Sequence, residues 1–184
     1  WRRIGRDGPE EEALRQNAPD GVSREQATAY QQFVWDFLLF AGLAARATGK
    51  PFSEAYWQRM EAMLEYVAAI MDSGGHVPMF GDADDGLVSG LSLRAGGCPF
   101  QSQLATAALL FANPSLARKA GVVDLRTRWL LGGEACAQFD NLLLRAAPAT
   151  VRKDFPEGGM FVLGANLDTP DEFRVVADAG PLGL

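Results

Sequence analysis

The chain changes its sequence period once, near its end, and that change limits what it can fold into. Up to about residue 150 the apolar positions recur at helical spacing. From Phe155 the text reads Phe-Pro-Glu-Gly-Gly-Met-Phe-Val-Leu-Gly, then a polar turn, then Phe173-Arg-Val-Val-Ala-Asp178. Two short β-type runs at the end of a helical chain make a hairpin, and a two-stranded hairpin is marginal unless a helix or further strands cover it. The expected architecture is therefore mainly α, with helix hairpins first and the start of an antiparallel sheet second. The chain reads as cut just as the sheet begins, so that a site spanning the sheet is only half present.

Composition narrows the function more by exclusion than by assignment. At 184 residues, 48% apolar and 22% charged, the chain has the content of an ordinary globular domain, or of one domain and a piece of another. A net charge of −6 argues against a general nucleic-acid binder, which needs clustered Lys and Arg to neutralise phosphates. No apolar run reaches the roughly 18 residues of a membrane span, because Asp36 and Arg46 interrupt the longest candidate. Cys98 and Cys136 are far apart and lack metal-ligand spacing, so buried, reduced thiols are expected. Without an initiator Met or a signal peptide, the first residues read as the inside of a helical region.

The helices can be placed by their punctuation. Residues 10–16 read as the end of a helix. Pro19-Asp20-Gly21 is a turn, and Ser23 with Gln26 three residues on suggests a capping box opening the next helix. Tyr30, Phe33, Val34, Phe37, Leu38, Ala41 and Ala45 then form a stripe expected to face the core. Gly49-Lys-Pro51 ends that helix. Ser53 is placed to cap a further one, whose apolar face is Trp57, Met60, Leu64, Val67 and Met71. A short turn joins the two as an antiparallel helical hairpin. A long Gly- and Asp-rich loop follows over residues 74–99. Helices are then expected over 100–111 and 124–144, with a short helical turn at 116–120. Residues 146–149 read as a linker. Paired helices at this spacing suit a toroid or solenoid.

Two segments concentrate groups that could do chemistry. The loop from His76 to Gly86 holds the only histidine and three carboxylates, Asp82, Asp84 and Asp85. It fails as a calcium loop because Gly86 stands where an oxygen ligand is needed, and as a zinc site because no second His or Cys is near. It is either a turn held by Asx hydrogen bonds or a rim that holds polar substrate groups. In the other segment, Glu25 is expected in the first helical turn, where a carboxylate favours the positive helix end, with Tyr30 five residues on. Tyr30 is either the top of the apolar stripe or a functional hydroxyl. Tyr56, Trp57 and Trp129 have faces suited to sugar stacking, although aromatic residues at helical spacing usually belong to a core.

Three stretches together resemble the heparinase II/III-like family of polysaccharide lyases. They are Pro19-Asp-Gly-Val-Ser-Arg-Glu-Gln-Ala-Thr-Ala-Tyr-Gln-Gln-Phe33, Gly75-His-Val-Pro-Met-Phe-Gly-Asp-Ala-Asp-Asp-Gly86, and Phe155-Pro-Glu-Gly-Gly-Met-Phe-Val-Leu163 with Ala177-Asp-Ala-Gly-Pro-Leu-Gly183. The resemblance implies a partial α/α toroid over residues 1–147 and the beginning of a C-terminal β-sandwich over 148–184, with a substrate cleft between them. It also implies β-elimination beside a uronic acid: a base removes the proton alpha to the sugar carboxylate, and the glycosidic oxygen leaves with proton assistance. The carboxylate must be neutralised to stabilise the enolate-like state. A Tyr acting as base or acid needs its ordinary pKa near 10 lowered by positive charge or donors.

By this resemblance Tyr30 falls at the catalytic Tyr, and Glu25, His76, Asp82, Asp84 and Asp85 line the substrate side of the cleft. No cofactor and no metal is implied, and the partner is an acidic polysaccharide, which would put the protein in the periplasm or cell envelope. The neutralising Asn or His and the sandwich His expected of such lyases have no counterpart in these residues, so the 184-residue polypeptide alone is expected to be nearly inactive. Arg59, Arg94, Arg126 and Arg128 are candidates for an Arg-lined groove. The alternative is a non-catalytic glycan-binding or scaffold helical domain in exopolysaccharide assembly or export.

Overall fold

The computed structural model describes residues 2–83, 86–91, 97–146 and 151–180. In chain order the elements are α1 (Arg2–Gln16), α2 (Thr28–Ala47), α3 (Glu54–Ile70), α4 (Pro99–Leu110), α5 (Pro114–Ala120), α6 (Leu125–Leu131), α7 (Ala135–Arg145), β1 (Asp154–Phe155), β2 (Met160–Ala165) and β3 (Phe173–Asp178). The chain is thus mainly helical with a small antiparallel sheet. Among the described residues, 71–98 contain no helix or strand, matching the expected long loop.

Helices α2 and α3 form the expected antiparallel hairpin, and side-chain bonds fix its register. Gln31 Nε2 donates to the Met63 carbonyl (3.3 Å), Trp35 Nε1 to that of Met60 (2.9 Å), and the Tyr56 hydroxyl to that of Leu38 (2.5 Å). Gly42 completes the seam, because a Cβ there would lie 2.6 Å from the Trp57 ring. Ser53 caps α3 as its sequence suggests, accepting the Tyr56 N–H at 3.3 Å. The face carrying Trp57, Met60, Leu64, Val67 and Met71 is buried, joined by Tyr56 and Met63. Leu104, Leu116, Phe139 and Leu142 from α4, α5 and α7 close the same core.

Two helical expectations are corrected. The stripe of α2 is borne out only in part: Leu38 is buried and Val34, Ala41 and Ala45 pack against the core, but Phe37 is 57% exposed and Phe33 39%, and the buried face is centred instead on Gln31, Trp35, Leu38, Leu39 and Gly42. Helix α2 is apolar nearly all round, so counting apolar residues cannot choose its inner face. The choice falls to groups that need partners, the Trp35 indole N–H and a buried polar set at Gln32 and Asp36. Helical text over 124–144 is two helices rather than one. Gly132, at φ +97°, ends α6 in a conformation that L side chains rarely adopt.

The sheet has the order β1-β2-β3, with Met160 opposite Asp178 and Ala165 opposite Phe173. It does not stand alone. Phe155, Met160 and Val162 bury against Tyr66, Ala69 and Ile70 of α3 and against Val22, forming a second, smaller core. A charged clamp supplements it. Asp168, in the β2–β3 turn, receives Lys119 Nζ at 2.5 Å and Arg174 at 2.8 Å. Glu172 receives Arg174 at 2.9 Å and the N–H groups of Ser73 and Asp168, both at 2.7 Å. A second amine of Arg174 donates to the Ala69 carbonyl. Burial alone would raise the Glu172 pKa, but Arg174 and these backbone donors outweigh it and hold the carboxyl below its ordinary value of 4.5.

Candidate functional site

Residues 17–33 form a hub on which the other two sequence segments dock. An antiparallel bridge pairs Asn17 with Ser23. Gln31 reaches back from α2 to accept the Ser23 N–H (2.8 Å) and donate to the Gly21 carbonyl (2.7 Å). Gly21 has φ +93°, and a Cβ there would collide with the Ala62 carbonyl of α3, so the turn needs its glycine. These bonds hold 19–27 outside the helix. The expected capping box is therefore absent: Ser23 Oγ accepts the Glu25 N–H at 3.3 Å, Gln26 takes a left-handed φ of 50°, and α2 starts at Thr28. Glu25 is correspondingly corrected from the first helical turn to an exposed position before it.

The loop after α3 docks at the start of α2. Thr28 N–H donates to the Phe80 carbonyl (3.1 Å), and its hydroxyl donates to the Pro78 carbonyl (3.0 Å). Gly81 then lies against Gln26 and Ala27 so closely that a Cβ would come within 2.6 Å of the Gln26 carbonyl. The sheet docks on the same hub from another side. The buried carboxylate of Asp20 accepts the N–H groups of Glu157 (2.8 Å) and Gly158 (3.0 Å), in the β1–β2 turn. Gln26 Nε2 lies 3.5 Å from Asp178 Oδ1 at the end of β3. A Cβ on Gly158 would overlap Val22. All three segments thus meet around 20–28, and backbone contacts define the meeting.

Of the candidate side chains, Tyr30, Glu25 and Asp82 lie by this junction and His76 away from it, and none bonds to another among the described residues. Tyr30 lies within the first turn of α2, half-buried, and no described residue hydrogen-bonds its hydroxyl. Glu25 and Asp82 are exposed and flank the contact between Gln26 and Gly81. His76 lies at the far end of the loop, its side chain 81% exposed and its Nδ1 3.0 Å from Asp72. Asp72 also accepts the His76 N–H at 2.7 Å, so this pair closes a local turn. Burial opposes ionisation of Asp72, yet the His76 bonds prevail and lower its pKa. Asp84 and Asp85 lie outside the described residues, as do Arg94 and residues 147–150 and 181–184.

Several side chains suited to sugar contact turn out to be structural. Tyr56 and Trp57 are core, and burial pushes the Tyr56 hydroxyl pKa well up, with Glu10 adding to it. Arg59 donates to the Leu14 and Asn17 carbonyls. Arg126 is buried against Asp36. Trp129, 76% exposed, and Arg128 remain on the surface. Cys98 and Cys136 are free thiols, as expected, but half-buried rather than buried. Thr28 and Gln31 were not singled out from sequence, and Asp20 and Gln26 only as parts of a turn and a capping box. Their partners lie at 80, 157–158, 178 and 63, and no local pattern announces such pairings.

Comparison with known proteins bears on the hub directly. Residues 1–91 match the family model described as heparinase II/III N-terminus, a stretch that contains α1 to α3, Tyr30 and the loop docked on Thr28. No curated protein and no solved structure matches the chain. Through residues 1–91 the chain belongs to the heparinase II/III-like family.

Proposed function

We propose that this chain supplies the tyrosine-bearing wall of a polysaccharide-lyase cleft, acting on a uronic-acid-containing glycan by β-elimination. The observation that carries the reading is the convergence of three lyase-like segments on 20–28, with Tyr30 at its edge, partly exposed and free of hydrogen bonds to described residues. A tyrosine in that state can meet a substrate proton without first breaking an internal bond, as a general base or acid must. Glu25 and Asp82, on either side of the Gln26–Gly81 contact, suit hydrogen bonding to sugar hydroxyls. The resemblance also assigns His76, Asp84 and Asp85 to the substrate side of the cleft.

In this reading the helices form part of an α/α toroid over 1–147, and the sheet opens a β-sandwich over 148–184. The outward face of the sheet supports a further layer, since Leu163, Val175 and Phe173 stand exposed there. The glycan class places the protein in the periplasm or cell envelope. Stabilising the enolate-like state needs a positive or hydrogen-bonding partner on the substrate carboxylate. The described residues bring no such group into bonding contact with Tyr30, so the 184-residue polypeptide alone turns over little.

Heparan sulfate, alginate and acidic bacterial exopolysaccharides, incubated separately with the natural gene product and with the 184-residue polypeptide, test this. Ultraviolet absorbance from unsaturated uronate ends should rise with the gene product on at least one polymer and stay flat with the polypeptide. A strong rise with the polypeptide would refute its inactivity. Binding without product by the gene product would favour a non-catalytic glycan-binding module instead.

A further inference from the structure

Among the described residues, every hydrogen bond made by 77–82 goes to Thr28. Its hydroxyl serves twice, donating to the Pro78 carbonyl at 3.0 Å and accepting the Phe80 N–H at 3.4 Å. Its own N–H donates to the Phe80 carbonyl at 3.1 Å. The residue is 3% exposed, which confines the hydroxyl to these partners. Val77 and Phe80 also pack on the second core, but apolar packing gives adhesion without direction. Thr28 and Tyr30 stand about 200° apart around α2, on nearly opposite sides. The loop crosses beneath the helix from one side toward the other. After Phe80, Gly81 lies against Ala27, where a Cβ would come within 2.9 Å of the Ala27 Cβ. Ala27 precedes Tyr30 by three residues, the spacing of neighbours on one side of a helix. Asp82 follows at once, exposed, and no described residue bonds its carboxylate.

We infer that Thr28 is a positioning residue, whose hydroxyl sets where the loop passes beneath α2 and so brings Asp82 to the side of the helix that bears Tyr30. What Asp82 then does rests on the lyase reading; the clasp itself does not. In that reading Asp82 accepts from sugar hydroxyls, while Thr28 acts only through it and never touches substrate. An acceptor on a loop is placed no better than the loop's attachment, and a displacement of about 1 Å can cost about 100-fold where orientation matters. Gly81 forms the other half of the clasp. Its φ of +71°, and the 2.6 Å that would separate a Cβ from the Gln26 carbonyl, reserve the position for glycine. Helix α2 has no side-chain cap, since its N-cap is Ala27. The Phe80 carbonyl takes one of the N–H groups left open there, so one contact both closes the helix start and fixes the loop.

Three variants test this: Thr28→Val, which keeps the shape and loses the hydroxyl, Thr28→Ser, which keeps the hydroxyl, and Gly81→Ala, which pushes the loop off from the other side. Circular dichroism establishes that each is folded. In the 184-residue chain, Thr28→Val should speed amide exchange at Phe80 about tenfold or more, and Thr28→Ser should stay within about twofold. In the natural gene product, on whichever acidic glycan it cleaves, Thr28→Val should raise KM about threefold or more, which a smaller folded fraction cannot do, and Thr28→Ser should restore it. Asp82→Ala should raise KM similarly, and adding Thr28→Val to it should change KM by less than about twofold. If Thr28→Val does not fold, Gly81→Ala decides alone, with the same rises in exchange and KM expected. Unchanged exchange at Phe80 in the folded variant would overturn the clasp. Faster exchange with unchanged KM, or a full further rise on top of Asp82→Ala, would overturn the positioning role. A gene product without lyase turnover would defeat the lyase reading and the role of Asp82 with it, while the exchange result decides the clasp in either case.

Discussion

The joint between α2 and α3 and the joint between the sheet and the helices are built on different physics. The first is a dry seam of Trp35, Leu38, Leu39, Tyr56, Met60 and Met63, with a few side-chain bonds that fix its register. The second buries seven residues, among them Tyr66, Phe155 and Met160, and relies for orientation on Asp20, Asp168, Glu172 and Arg174. Apolar burial is non-directional and scales with area, whereas a charged hydrogen bond specifies direction. The helical seam therefore carries stability, and the sheet joint carries alignment. That division suits a site whose two walls come from different layers.

Substitutions can break this comparison at either joint. The largest effect is expected for Trp35→Ala, which deletes a fully buried ring and its bond to Met60. It should cost about 3–5 kcal/mol in a urea titration. A loss below about 1 kcal/mol would mean the seam is not the main support. Asp20→Ala should cost less, about 2–3 kcal/mol, by leaving the Glu157 and Gly158 N–H groups without their acceptor. Its signature is local: amide exchange should accelerate at 157–158 while α3 stays protected. Uniform acceleration would show that the two joints are not separable.

Acid should loosen the sheet joint next. The Glu172 carboxyl is held below 4.5 in the folded chain, so its contribution is fully present above that value and is lost as pH falls through the folded pKa. The urea midpoint should decline as the pH drops below about 4.5, and Glu172→Gln should flatten that part of the decline. An unchanged acid profile in the variant would remove Glu172 from the clamp. The smallest effect is expected at Phe37, where Phe37→Gln should shift stability by no more than about 0.5 kcal/mol. A cost of about 3 kcal/mol or more would restore the stripe first read from the sequence.

What could be read in advance follows from the range of the interactions involved. The α3 cap at Ser53, the turn at Gly49 that ends α2 and the β2–β3 hairpin depend on neighbours within a few residues, and each was legible, whereas the stop at Gly132 was missed. The inner face of α2 was not, because Phe33, Phe37, Trp35 and Leu39 look alike to a count of apolar positions. It is decided by bonds to Met60 and Met63, some 25 to 32 residues away. The start of α2 was misplaced for the same reason, since Gln31 and the Asn17–Ser23 bridge override the local Ser23–Gln26 pattern. Tyr30 stood out only through its surroundings in the sequence, and the fold adds that those surroundings meet in space.

Tyr30→Phe in the natural gene product, assayed for unsaturated uronate on whichever acidic glycan it cleaves, tests the central claim most directly. With no hydrogen bond to lose among the described residues, the variant should keep its stability to within about 0.5 kcal/mol. Its turnover should fall by about 100-fold or more, the least that removing a proton-transfer group costs. Full turnover in a folded Tyr30→Phe protein would contradict the account and make Tyr30 a surface residue of α2.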